Sequence, residues 1–135
     1  MGSEVAESAL ISYLDTHVAV FLHAGDASRI SAKAQNQIES TDLLISPMVL
    51  LELEMLYDKG TIKFSPSQIL ADLSQQIGLS VCQLPFSQVV RSAATIKWTR
   101  EPGDLLIVAN ALANNSAPLV TKDERIRSGY NNAIW

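Results

Sequence analysis

"REPGDLLIVANALANNSAPLVTKDERI", residues 100–126, puts two kinds of buried element back to back. "DLLIVANALANNS" (104–116) is an apolar helical run, and "PLVT" (118–121) is too short and too uniformly apolar to be anything but a buried strand. A polar stretch, "DERIRSG", reads as a turn or helix and leads into a last short strand at "NAIW" (132–135). A strand with no polar alternation is covered on both faces, which is the habit of parallel sheets sandwiched by helices. The rest of the chain repeats this alternation.

"ALISYLD" (9–15) reads as a first buried strand ending in Asp15, followed by the apolar "THVAVFLHAG" with Gly25 as a stop. "SRISAKAQNQIES" (28–40) is an amphipathic helix with Ile30, Ala34 and Ile38 on one stripe, and "LLIS" (43–46) is a second strand. Pro47 suits a first helical position and opens "PMVLLELEMLYDKG", which stops at Gly60. In "SPSQILADLSQQIG" (65–78), Ser65 caps, Pro66 starts the helix, Gln68 completes a capping box and Gly78 ends it. "LSVCQL" (79–84) is a third strand and "PFSQVVRSAATIKW" (85–98) another helix. The pattern predicts an α/β fold with a mostly parallel sheet between helices.

At 135 residues, 47% hydrophobic and 18% charged, the chain fits one globular domain, 1–135, with residues 1–8 expected to be a flexible lead. No apolar run is long enough to span a membrane, and the N-terminus lacks the basic start and apolar stretch of a signal peptide. The single Cys82 excludes an internal disulfide and fits a reducing compartment, so a cytoplasmic protein is expected. A net charge of −4 argues against nonspecific binding to nucleic acid or membrane. Six of the ten basic residues nevertheless fall between positions 91 and 127.

The acids sit at the ends of the buried elements. In an open α/β sheet, ligands bind outside the carboxyl ends of the strands. Asp15 closes the first strand, and Asp123 follows "PLVT" with only Lys122 between them. Asp104 stands at a helix start, where the dipole favours an anion and where it could also serve as a simple cap. Glu52 has Met48, Val49, Met55 and Leu56 three and four residues away, an apolar setting that demands a partner, whereas Glu54 is placed at a wetter edge. If Asp15, Glu52, Asp104 and Asp123 converge, their repulsion raises their pKa values unless a cation lies among them. An all-oxygen set without His or Cys selects a hard ion, Mg²⁺ or Mn²⁺, and such a site suits phosphate esters. His17 and His23 make no soft-metal set, and His17 is read as a packed or rim residue.

The chain resembles the PIN domain family, and within it the VapC-type toxin ribonucleases. "YLDTHV" is similar to the family's opening strand with its first catalytic aspartate, Asp15. "ISPMVLLEL" is similar to the second motif and gives Glu52, "REPGDLLIVANAL" to the third and gives Asp104, and "LVTKDERI" to the fourth and gives Asp123 with Thr121 before it. Two departures are Glu101, where the family often has aspartate, and Gly103, where it has a bulkier residue.

The resemblance implies a three-layer α/β/α sandwich of about five strands and a metal-dependent endoribonuclease. It also implies a toxin silenced by a cognate antitoxin protein, and a homodimer. Asp15, Asp104 and Asp123 would coordinate metal, with Glu52 a further ligand or water-positioning base. Thr121 would bond a carboxylate or phosphate, Glu101 would be peripheral, and Lys97, Arg100, Lys122 and Arg125 would track the RNA backbone. Two alternatives stay open. One is a catalytically silent PIN-like module that binds RNA or protein. The other is a phosphotransfer enzyme of the haloacid dehalogenase type, whose motif wants an acid where this chain has His17.

Overall fold

The computed structural model describes residues 10–135, and the expected lead at residues 1–8 lies outside them. Five parallel strands form one sheet: β1 (Ile11–Leu14), β2 (Asp42–Ile45), β3 (Ser80–Val81), β4 (Leu119–Val120) and β5 (Ala133–Ile134), in the order β3-β2-β1-β4-β5. In the register, Tyr13 stands against the partly buried Leu44 on one side and the buried Leu119 on the other. Tyr13, Leu14, Leu119 and Val120 are wholly buried, as strands covered on both faces must be. The chain is a three-layer α/β/α sandwich.

Among the described residues the helices are α1 (Thr16–His23), α2 (Ala32–Ser40), α3 (Pro47–Asp58), α4 (Pro66–Ile77), α5 (Phe86–Ala93), α6 (Pro102–Ala113) and α7 (Glu124–Gly129). Their starts follow side-chain chemistry. Ser46 accepts from the Met48 amide and Ser65 from the Gln68 amide, each with proline at the first helical position. Gly78 ends α4 in the left-handed region at φ +71°, which glycine takes without steric penalty.

Four expectations shift. The capping box does not close, because the Gln68 side chain donates to Asp72 Oδ1 instead. The helix expected from residue 28 begins at Ala32, where Ser31 caps it, and a 3-10 turn (Ala27–Arg29) precedes it. The helix expected over 85–98 stops at Ala93, which frees Trp98 to cover Gly129 so closely that a side-chain carbon there would overlap the indole. Helix α6 begins two residues earlier than its apolar run, because Glu101 is its cap.

One buried polar chain ties the layers together. Ser46 Oγ donates to Asn110 Oδ1 at 2.5 Å, Asn110 Nδ2 and the Tyr13 hydroxyl donate to Cys82 Sγ at 3.2 and 3.1 Å, and Asn114 Nδ2 donates to the Tyr13 hydroxyl at 2.9 Å. These bonds fix β1, the start of α3 and the length of α6 relative to each other. They are the elements that present Asp15, Glu52 and Asp104.

Candidate active site

The strand order reverses at β1: β2 lies on one side of it and β4, reached much later in the chain, on the other. Such a switch point leaves a crevice beyond the carboxyl ends of the two strands. Asp15 emerges directly after β1, and Thr121 and Asp123 directly after β4, while the Asp15 amide donates to the Val120 carbonyl at 3.0 Å and keeps the two strand ends in step.

Each acid is held differently. Asp15 is only 8% exposed, and both its oxygens are engaged: Oδ1 accepts from the Thr16 amide at 2.8 Å and Oδ2 from the Thr121 hydroxyl at 2.6 Å. Burial raises its pKa, and these two bonds work against the rise. Thr121 is fully buried, and its hydroxyl oxygen also accepts from the Asp123 amide at 3.0 Å, so one side chain sets both aspartates. Asp123 Oδ1 caps α7 by accepting from the Ile126 amide at 3.0 Å.

Glu52 finds the partner its setting demanded in Thr16, whose hydroxyl donates to Oε1 at 2.5 Å. Burial again leads the upward shift of its pKa, and the charges of Asp15 and Glu101 add to it. The face around Glu52 is less closed than its sequence neighbours suggest, since Val49 is buried but Met55 is 46% exposed. Glu54 is exposed. The second oxygen of Glu52 lies against Gly103, where any side-chain carbon would overlap it. The absence of a side chain at Gly103 is therefore what lets Glu52 lie on the first turn of α6.

Asp104 is not the cap of α6. Both oxygens of Glu101 take that part, accepting from the amides of Gly103 at 3.1 Å and Asp104 at 2.7 Å. Asp104 is left in the first turn, and its pKa is pushed up to about 6, first by burial and then by the charges of Asp123, Glu101, Asp15 and Glu52. One aspartate thus feels four other carboxylates. The counter-charge is Arg125, 3.9 Å from Asp104 and 63% exposed at its side chain.

Of the basic residues read as RNA contacts, Lys122 and Arg125 lie beside these acids in the chain or in space. Lys97 and Arg100 are exposed on the loop before α6, and among the described residues neither forms an ion pair. His17 is exposed on α1, close enough for its charge to lower the pKa values of both Asp15 and Glu52. Thr16 and Gly103 are the site residues that sequence reasoning missed. The signal for Thr16 was the unpaired Glu52 itself, which required a donor from another element.

The donor set is all oxygen and carries far more negative than positive charge, which fits a hard divalent cation. Among the described residues no three of these side chains close around a common point as a finished cage. An ion here would be shared between carboxylates and water.

The sequence matches the family described as PIN domain over residues 12–131. The chain belongs to the PIN domain family. This membership sets aside the haloacid dehalogenase alternative. Among the solved structures that share the fold of this chain are two VapBC complexes. VapBC2 from Rickettsia felis, in a crystal structure bound to a DNA fragment from its promoter, is 21% identical and has a TM-score of 0.57, covering 91% of this chain and 95% of that one. VapBC-1 from nontypeable Haemophilus influenzae is 20% identical with a TM-score of 0.51, covering 87% and 93%. At these identities the likeness is one of fold. No curated protein matches the chain.

Proposed function

We propose that this PIN domain is a metal-dependent endoribonuclease and the toxin of a toxin–antitoxin pair. What supports the reading is that Asp15, Thr121 and Asp123 follow the carboxyl ends of β1 and β4 and are joined through the Thr121 hydroxyl, with Glu52 held to Thr16 and Asp104 near enough to feel their charges. Asp15, Asp104 and Asp123 would hold Mg²⁺ or Mn²⁺, with Glu52 as a further ligand or as the base that positions water. The bound ion would lower the pKa of a water ligand and neutralise charge on the phosphoryl oxygens. The chain's own residues do the rest. Thr121 and Thr16 fix the carboxylates of Asp15 and Glu52, and the exposed Arg125 is free to leave Asp104 for a substrate phosphate.

The toxin role rests on the sequence resemblance to VapC and on the two VapBC structures that share the fold. A protein antitoxin is part of the reading, as is a homodimer. Leu51 and Phe86, each more than half exposed and lining one apolar hollow with Met48 and Leu106, support a protein partner. RNA as the substrate comes from the same resemblance, and the cytoplasm as the compartment rests on the single Cys82; no helix among the described residues is long and apolar enough to cross a membrane.

The test separates two glutamates of one helix. Glu52→Gln should abolish cleavage of a single-stranded RNA, and Glu54→Gln should leave it unchanged. Equal activity of the two variants would contradict the placement of the site. The open arrangement of the carboxylates favours one second reading, a PIN module that binds RNA without cutting it. Binding of Mn²⁺ and RNA with no cleavage by the unaltered protein would establish that reading instead.

A further inference from the structure

Beside the acids, two elements bring cations to one aromatic ring carried by a third. Phe21 lies on α1, which starts directly after Asp15, and the ring of His17, one turn earlier, is 6.5 Å from it. The guanidinium carbon of Arg29, from the 3-10 turn, lies 4.7 Å from the centroid of the Phe21 ring. The ammonium of Lys122, from the segment between β4 and α7, lies 6.0 Å from the same centroid. Two like charges repel, and they share a neighbourhood only where something rewards both. The ring face does so in part. Carboxylates do so little: Arg29 reaches Asp26 only at 4.0 Å with both side chains exposed, and Lys122 has no ion pair among the described residues.

The position has a chemical meaning if the carboxylates cleave RNA, and the inference rests on that reading. A cluster of acids repels the phosphates it must act on, so the strand has to be held by cations next to the cluster. The chain carries a net charge of −4 and cannot supply that attraction as a general field. We infer that Arg29 and Lys122, gathered over Phe21, form a binding post for backbone phosphates of the RNA strand beside the scissile bond, with His17 between the post and the carboxylates. Arg29 belongs to this post although it lies more than sixty residues outside the basic segment of the sequence.

The experiment measures fluorescence anisotropy of a labelled single-stranded RNA across a salt series, in an Asp104→Asn background that prevents cleavage. Arg29→Gln and Lys122→Gln should each weaken binding about fivefold and flatten the plot of log affinity against log salt by about 0.7. Phe21→Leu keeps both charges and removes the ring, so it should weaken binding while leaving more of the salt slope in place. Arg91→Gln, an exposed charge on α5, should match the parent. Binding by Arg29→Gln and Lys122→Gln within twofold of the parent, with unchanged slopes, would overturn the inference. Equal losses on Arg91→Gln would overturn it too, since any surface cation would then serve. If those results came from a protein whose unaltered form cleaves RNA, the post would fail and the nuclease would stand. No RNA binding by any form would overturn both.

Discussion

Asp104→Asn should make the metal-free protein more stable while removing its activity, and the size of the gain follows from the site. Burial and four neighbouring carboxylates raise the Asp104 pKa from 3.8 to about 6. Taken whole, that rise is worth about 3 kcal/mol in favour of the protonated form. The side chain is 21% exposed, so solvent screening reduces the figure to roughly 1–2 kcal/mol. The sign follows from the folded pKa lying above the unfolded one: protonation favours the folded state. The stability that Asp104 contributes is complete below pH 3.8 and is lost as pH rises through about 6. Asparagine has no proton to lose and so never acquires that charge. The variant should therefore match wild type at pH 3.5 and out-melt it at pH 8 by roughly 3–10 °C, at about 3–5 °C per kcal/mol for a domain of this size. Loss of the Arg125 pair subtracts little, because that pair is exposed at the arginine. Mn²⁺ should then raise the melting temperature of wild type more than that of the variant, since a ligand stabilises in proportion to its affinity for the native state. Differential scanning fluorimetry from pH 3.5 to 8, with EDTA and with Mn²⁺, makes the comparison. A variant that melts below wild type at pH 8 without metal would refute the reasoning, as would an equal gain at pH 3.5.

Two further variants probe the supports of the site. Gly103→Ala should shift thermal stability by no more than about 1 kcal/mol, because alanine favours helix and the Glu52 carboxylate can swing away. It should nonetheless lower RNA cleavage toward the level of Glu52→Gln, and full activity would show that the Glu52 position is dispensable. Thr121→Val keeps the shape but leaves Asp15 Oδ2 and the Asp123 amide without their partner, so urea denaturation should show a loss of about 1–3 kcal/mol. The lost bond had held the Asp15 pKa down, so the acid limb of the cleavage–pH profile should move to higher pH; a limb moved to lower pH would contradict this role.

Parallel strands between helices announce themselves as apolar runs, so all five were legible, although β3, β4 and β5 are only two residues long. Pro47 marked the start of α3, and Ser65 with Pro66 that of α4, for the same local reason. What escaped depends on tertiary contact. The start of α6 was misplaced because glutamate is an uncommon cap, and Glu101 caps only by turning both oxygens onto Gly103 and Asp104. The order of the strands, which sets Asp15 beside Thr121, is written nowhere in a single segment. Glu52 could be seen to need a partner, but Thr16, 36 residues away, could not be named from helical spacing.

On the proposed reading, these carboxylates act on RNA through a hard divalent ion. Cleavage of an end-labelled single-stranded RNA by the unaltered protein tests it most directly, run with Mn²⁺, with excess EDTA, and after Mn²⁺ is restored. Discrete internal cuts are expected with Mn²⁺, none in EDTA and full recovery on restoration. Undiminished cleavage in excess EDTA would contradict that reading.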